Sequence, residues 1–473
     1  MKADRVTMTN RDNSLNQEIS SYEKEDIVAA ATNISYGAPI AILRMSGEGS
    51  HEKLLKTLKK DTKTTANVLK RARFLDLTTR DLIDDAMVVF FHAPSSYTGE
   101  DSAELHLHGS PFVARKALTN LQRAGFRLAE PGEFTKRAYL NEKLDLIESE
   151  GISNLITASS EQEWLSAKYL LEGKLQGKIK ELHNNLLEVM AFLEAQIDFP
   201  EEEDTIAISR SILKEKAKKV FETIQSLITS YENGKITSEG LKVGLIGPPN
   251  AGKSSLMNAL LEKDRAIVTD TPGTTRDYLE ERCLLKGRLI SLVDTAGLRE
   301  TEDIIEKKGV LKAKEIAQNV DLILFLFPLD QDESTFKYFE ESIKELKKTS
   351  HLTLFTKSDL TEKSFFQKKE GLFISAKTKE NLDLLQDKII EKIDYHTNAF
   401  KNSVSITSTR HLSLLEEASN KLETFLLHFE TPHYEEILAF ELREINDTLS
   451  RIIGSIHTED LLEEIFSRFC IGK

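Results

Sequence analysis

The stretch Gly247-Pro248-Pro249-Asn250-Ala251-Gly252-Lys253-Ser254 lies between a strand-like apolar run, Leu241 to Ile246, and a helix-like run, Ser255 to Leu261. That order is what a phosphate-cradling loop requires. Glycines leave backbone N–H groups free to face phosphate oxygens, Lys253 can reach the β and γ oxygens, and the Ser254 hydroxyl can hold Mg²⁺ at the positive end of the following helix. Alone the match is moderately specific. Four further segments follow in order: Thr274-Thr275-Arg276-Asp277, Asp294-Thr295-Ala296-Gly297, Thr356-Lys357-Ser358-Asp359 and Ser375-Ala376-Lys377.

Each of these has a job its residue types can do. Thr275 can offer a hydroxyl to Mg²⁺ from a mobile loop, and Asp294, closing the strand Leu289 to Val293, can hold a water on that metal. Gly297, reached through Thr295 and Ala296, supplies an N–H where the γ-phosphate would sit, so its loop can sense hydrolysis. Asp359 can accept two hydrogen bonds from a base carrying N1–H and an exocyclic amine, which selects guanine over adenine. Thr356, Lys357, Ser375, Ala376 and Lys377 complete that base pocket, as Asn250, Ala251, Gly252 and Ser255 complete the phosphate loop. The nucleotide is therefore GTP or GDP, not ATP.

At 473 residues the chain exceeds one ordinary hydrophobic core, so about three domains are expected. The composition is globular, with 40% hydrophobic and 30% charged residues, but the net charge is −14. Bulk electrostatics will not draw such a chain onto nucleic acid, so any RNA contact must use local basic patches. Cys283 and Cys470 form no disulfide or zinc pattern, which fits a reducing, cytoplasmic setting. No apolar run approaches a membrane span; the longest candidate, Val320 to Phe327, reads as a buried parallel strand.

Working outward from the nucleotide segment, assigned to 239–394, residues 1–25 read as a disordered extension. Residues 26–143 read as an α+β domain: strands Ile27 to Ala31, Ile40 to Met45, Ala86 to His92 and Ala103 to His108, with helices His51 to Lys59 and Pro111 to Ala124. His106 and His108 face one way on their strand; a metal site would need a third ligand that the spacing does not supply, and packed or hydrogen-bonded histidines suit the pattern better. Residues 144–238 and 395–473 carry helical periodicity, as in Leu182, Leu186, Leu187, Met190 and Leu193. The economical fold is multidomain: an N-terminal α+β domain, a discontinuous all-α helical domain whose two parts pack together, and an inserted α/β P-loop GTPase domain of the Ras-like kind.

The segments Ile42-Leu43-Arg44-Met45-Ser46-Gly47, Tyr97-Thr98-Gly99-Glu100-Asp101, Pro131-Gly132-Glu133-Phe134, Asn141-Glu142-Lys143-Leu144-Asp145 and the ending Cys470-Ile471-Gly472-Lys473 carry a resemblance. From about Asp26 to Lys473 the chain resembles the MnmE (TrmE) family of bacterial and organellar tRNA-modification GTPases. The resemblance implies a homodimer whose N-terminal domain binds a one-carbon folate, 5,10-methylene- or 5-formyl-tetrahydrofolate, through Arg44, Glu104, Lys143 and Lys473. A pocket shared by residues so far apart in sequence requires the C-terminal helix to dock on the N-terminal domain. It further implies work with MnmG, an FAD-containing partner, in a heterotetramer or larger assembly. Together they would add an aminomethyl or carboxymethylaminomethyl group at C5 of the wobble uridine, position 34, of certain tRNAs. Cys470 is open to two readings, a reactive thiol or a buried small side chain between Phe469 and Ile471.

Hydrolysis has its own signals. Many small GTPases place a water-orienting glutamine directly after Gly297; here that residue is Leu298, which can orient nothing. The resemblance points to Glu306 as the catalytic group, among the other carboxylates Glu300, Glu302 and Asp303. It also implies that K⁺ takes the place of an arginine finger, held by Asn250 and by the loop through Thr269, Thr271 and Thr274, whose oxygens suit a hard cation. Two segments depart from the family pattern: Thr356 stands where Asn is usual, which is expected to weaken bracing of the phosphate loop, and Asn33 to Ala38 replaces an Arg- and Gly-rich turn. Two rival readings lack their signals. A ribosome-assembly GTPase should carry an RNA module such as a KH domain or a basic tail, and a membrane-remodelling GTPase an amphipathic anchor.

Overall fold

The computed structural model describes residues 25–473 except 61, 199–209, 262–278, 295–316, 318, 332, 345, 347–349, 361–369, 399–405, 431–434, 455–458, 468 and 473. Contacts divide the chain into two compact units, one ending at Ser153 and resumed over Gly454–Lys473, the other Asn154–Ile453.

The first unit begins β1 (Ile27–Ala30), β2 (Ile40–Ser46), α1 (Ser50–Thr57), β3 (Lys70–Leu75), β4 (Leu82–Phe91), β5 (Ser102–His108), α2 (Pro111–Arg123), β6 (Arg127–Leu128), α3 (Glu133–Leu140) and α4 (Leu146–Thr157), the last crossing into the second unit. The strands form one sheet in the order β3-β4-β5-β2-β1-β6. Alternation decides its faces: Leu43, Met45, Leu105 and Leu107 pack with Leu54 of α1 and Ala117 and Leu121 of α2, so Arg44, Glu104 and His106 stand on the other face. Strand β3 was not expected from the sequence. Its residues, Lys-Arg-Ala-Arg-Phe-Leu, cover only one face, because this is an edge strand guarded by cations.

The second unit opens with α5 (Glu161–Leu171), α6 (Lys174–Asp198) and α7 (Arg210–Glu239). Ser160 and Glu163 close a reciprocal cap at the start of α5. Then come β7 (Leu241–Ile246), α8 (Lys253–Leu261), β8 (Leu279–Leu285), β9 (Arg288–Asp294), β10 (Leu322–Pro328), α9 (Glu333–Ser342), β11 (His351–Thr356), β12 (Leu372–Phe373) and α10 (Leu382–Asn398), followed by α11 (Thr409–Glu430) and α12 (Glu435–Ile453). Their sheet runs β12-β11-β10-β7-β9-β8, parallel except where β8 meets β9. Every residue of β10 is buried, as expected of a central strand covered on both faces. Around the inserted sheet, α11 packs on α12 and α7, and α12 on α6. Gln225 of α7 donates to the Ser419 hydroxyl of α11 at 2.6 Å, tying helices that precede and follow the insertion.

The chain then returns to the first unit through Gly454 and α13 (Glu459–Ser467). Leu462, Phe466 and Phe469 pack on Tyr139 and Leu146, and burial of each such side chain contributes about 1.5–3 kcal/mol. Tyr139 donates its hydroxyl to the Gly454 carbonyl at 2.5 Å. Ile471 bridges Pro131, and Gly132 donates its N–H to the Cys470 carbonyl at 3.4 Å. Gly472 has φ +92°, and a Cβ there would lie 2.4 Å from the Ala30 carbonyl oxygen. No side chain fits there.

Candidate functional site

Strand β7 delivers the chain into the turn 247–252, and α8 leaves it at Lys253. Within that turn Asn250 (φ 59°) and Gly252 (φ 87°) take left-handed conformations, a nest-like backbone that can present N–H groups to an anion. Lys253 donates from Nζ to the carbonyls of Gly247 and Pro248, at 2.9 and 3.0 Å. The ammonium therefore folds over the loop that would hold the phosphates. Asn250, Ser254 and Ser255 are exposed, and Ala251 is buried beneath them. The donor set suits GTP with a hard cation: an ammonium, the first turn of a helix, a serine hydroxyl and an amide oxygen.

Thr356 ends β11 and is buried. Its hydroxyl donates to the Ala251 carbonyl at 2.7 Å, so the phosphate loop is braced across strands by one side-chain bond although the usual asparagine is missing. Loss of that hydroxyl would leave a buried carbonyl without its donor, costing about 1 kcal/mol or more. Thr356→Val should accordingly weaken GDP binding roughly fivefold while GTP remains preferred over ATP, as read by competition titration; an unchanged affinity would deny Thr356 its bracing role.

The base pocket follows at the ends of β11 and β12. Ser375, fully buried, donates its hydroxyl to Asp359 Oδ1 at 2.7 Å. That bond, aided by nearby Lys377, holds the Asp359 carboxyl below its ordinary range, which keeps it an ionised acceptor for a guanine edge. Ser375 in turn accepts from the Thr378 N–H at 3.1 Å. Lys357, at φ 60°, pairs with Asp330 at 2.6 Å, and Ser358 donates to Glu380 at 2.5 Å. The supporting roles of Asp330 and Glu380 are invisible in sequence. Asp294 ends β9 and pairs in backbone register with Leu245 of β7. Thr269, Thr271, Thr274, Thr275, Thr295, Ala296, Gly297 and Glu306 lie outside the described residues.

On the sheet of the first unit, Arg44 of β2 sits directly opposite Glu104 of β5. The guanidinium donates from Nε and Nη2 to Glu104 Oε1, at 3.2 and 3.0 Å. Its charge also lies 5.6 Å from the Tyr97 ring centre and 5.9 Å from that of Phe134. Burial raises the Tyr97 pKa, against a 2.9 Å hydrogen bond to Thr135. His106, two residues along β5, meets Glu104 Oε2 at 3.2 Å, and His108 pairs with Asp84 at 2.7 Å. Both histidines thus lie within hydrogen-bond distance of a carboxylate. The structure brings Arg44, Glu104, His106 and two aromatic rings together as a charged shelf with an aromatic edge, able to take a flat heterocycle bearing donors or a carboxylate. Lys143 is drawn instead to the Pro94 carbonyl at 3.0 Å.

The tail reaches this sheet. Gly472 abuts Ala30 of β1, whose neighbour Ala29 is paired with Arg44; Lys473 lies outside the described residues. Beneath the shelf, buried Arg137 joins Glu100 at 3.1 Å and Glu133 at 2.9 Å. Burial pushes the Glu133 carboxyl up, but hydrogen bonds from Arg127, the Glu130 N–H and Arg137 bring it below its usual range. Glu25, assigned by sequence to the extension, pairs with Arg127 at 2.8 Å. Cys470 is exposed, which corrects the reading of a buried small side chain. The tail is held through its backbone and through Phe469, so the thiol faces solvent. The replaced segment at Asn33 forms a local turn, with the Ser35 N–H bonded to Asn33 Oδ1 at 2.8 Å and Tyr36 well exposed. Among the described residues no helix is long and apolar enough to cross a membrane.

Two family models match the chain: the N-terminus of GTP-binding protein TrmE over residues 26–143 and the MnmE helical domain over 146–470. It is 41% identical to the tRNA modification GTPase MnmE of Aquifex aeolicus over 460 residues, 95% of this chain and 100% of that one. The protein of the same name from Clostridioides difficile is 37% identical over 461 residues, 95% of this chain and 99% of that one. Among solved structures, the G domain of the T. maritima iron transporter FeoB aligns with 32% of this chain and 98% of that one at 29% identity, with a TM-score of 0.24.

Proposed function

The chain belongs to the MnmE family of tRNA modification GTPases, and from that premise we propose that it couples GTP hydrolysis to modification at C5 of the wobble uridine of certain tRNAs. The observation that carries the reading is the join between phosphate loop and base pocket. Thr356 holds Ala251 from the strand end that also positions Asp359, so one rigid sheet edge presents both halves of a guanine-nucleotide site. Such sites lie at the carboxyl ends of parallel strands.

In the proposed reaction Lys253 leaves the loop carbonyls for the β and γ oxygens, and Ser254 and Thr275 would hold Mg²⁺. Asn250, with Thr269, Thr271 and Thr274, would hold K⁺, which would supply positive charge against that developing on the transferred phosphoryl group. Glu306 orients the attacking water. Closure of two nucleotide domains in a homodimer activates hydrolysis, and the helical segments carry that motion onward. The shelf around Arg44 and Glu104 holds a one-carbon folate, the source of the carbon added to the base, and an FAD-containing MnmG partner completes the assembly in the cytoplasm.

Mass spectrometry of tRNA nucleosides from a strain lacking this gene tests the reading directly: aminomethyl-type wobble uridines should vanish and return with the wild-type gene. Intact modification would refute it. The cation makes a separate prediction. GTP turnover should be strongly higher in KCl than in NaCl at equal ionic strength, and Asn250→Ala should remove the difference; equal rates of the wild-type protein in both salts would exclude a K⁺ role.

A further inference from the structure

We propose that His51, His92 and Asp101 form a binding site for a zinc-type divalent metal ion in the first unit. His51 is the second residue of α1, His92 directly follows β4, and Asp101 directly precedes β5. Strands β4 and β5 are antiparallel neighbours, with Phe91 opposite Ser102. The sheet register therefore sets residues 92 and 101 side by side at the mouth of one loop, and α1 lays His51 against both. One ligand atom from each lies within 4.8 Å of the others.

The hydrogen bonds around the cluster decide which atoms face one another. His51 Nε2 is 2.9 Å from the Ser102 carbonyl and His92 Nε2 is 3.1 Å from the Thr64 carbonyl. A carbonyl can only accept, so each Nε2 carries the proton and each neutral ring keeps its lone pair on Nδ1. Asp101 spends Oδ1 on the Ala93 N–H at 2.9 Å, while its Oδ2 lies 3.7 Å from His51 Nδ1, beyond hydrogen-bond reach. The two rings stand 4.8 Å apart between centres at 74°. All three side chains thus have one polar atom fixed by the backbone, and one ligand atom of each lies within 4.8 Å of the others. Metal-ligating histidines are commonly oriented in this way, by donating their second N–H to a backbone carbonyl.

Two imidazole nitrogens and one carboxylate oxygen suit Zn²⁺, and poorly suit Ca²⁺ or Mg²⁺, which take oxygen shells. Ligand bonds of about 2.0–2.2 Å imply donors roughly 3.4 Å apart around a tetrahedral ion, so small side-chain rotations close the cluster, with water as the fourth ligand. Such an ion would staple the start of α1 to the loop 92–101, which carries Tyr97.

The test uses tag-free, full-length protein stripped with a chelator, with GDP and Mg²⁺ present to occupy the nucleotide site, on a Cys470→Ser background to remove the exposed thiol. After addition of Zn²⁺ and gel filtration, elemental analysis should find one equivalent per chain, and Co²⁺ in its place should give the visible bands of a tetrahedral centre. His92→Ala and Asp101→Asn should each weaken Zn²⁺ at least roughly tenfold in an indicator competition. Zn²⁺ should raise the melting temperature of the parent and not of these variants, whose GTPase rates should be unchanged. Asp101→Asn keeps an oxygen for the Ala93 N–H, so its fold is preserved. No retained Zn²⁺ in the parent, or equal retention by both variants, would overturn the site.

Discussion

Glu306→Ala protein is expected to bind GTP with unchanged affinity and to turn it over roughly 10²-fold more slowly, the loss expected when a positioned general base is removed. The reason begins at Leu298, which occupies the place where many GTPases keep a water-orienting glutamine and has no polar atom to offer. The resemblance to the family assigns that function to Glu306, further along the segment. Glu302→Ala is the control, since it removes a neighbouring charge without removing the base and should retain nearly full activity. Stopped-flow binding of a fluorescent GTP analogue with single-turnover hydrolysis separates the two steps. Equal rates for the two variants would move the assignment to another of the carboxylates from Glu300 to Glu306.

The Arg44→Ala variant should lose at least tenfold in affinity for 5-formyl-tetrahydrofolate, because a charge-assisted hydrogen bond contributes about 1.5–3 kcal/mol. The loss has a second source. Glu104, which Arg44 neutralises through two bonds, would keep His106 beside it in a half-buried setting, and a carboxylate no longer neutralised by the guanidinium would repel an anionic glutamate tail. Calorimetric titration reads the affinity, and the GTPase rate should be untouched because the phosphate loop belongs to the other unit. Unchanged folate affinity would remove Arg44 from the site, and absence of binding by the parent would leave the shelf without its proposed ligand.

Legibility in the sequence followed the physics of each element. Strands β2 and β5 announce themselves through alternation around Leu43, Met45, Leu105 and Leu107, because one face must be buried. Strand β6 does not, since two residues, Arg127 and Leu128, carry no period, and β3 hides its strand character behind the cations of an edge. The phosphate loop was legible because its function fixes a contiguous spacing. The brace from Thr356 to Ala251 was not, because it joins residues that are adjacent only once β7, β10 and β11 have aligned. The same holds for His51, His92 and Asp101, whose meeting depends on sheet register and not on any motif. At Cys470, apolar neighbours on both sides suggested burial, yet only Phe469 turns inward and the exposed Ile471 does not.

The docking of the tail on the first unit has a consequence for biosynthesis. Residues up to Ser153 cannot complete their packing until Gly454 and its successors have been made, about 300 residues later. At typical elongation rates of about 5–20 residues per second, that interval is roughly 15–60 s. Throughout it the nascent chain exposes the apolar seat of Leu462, Phe466 and Phe469 around Tyr139 and Leu146, a surface suited to transient chaperone capture. A polypeptide cut short by a premature stop or by ribosome stalling would never cover that seat, so the late-arriving segment marks finished chains off from fragments that degradation should clear.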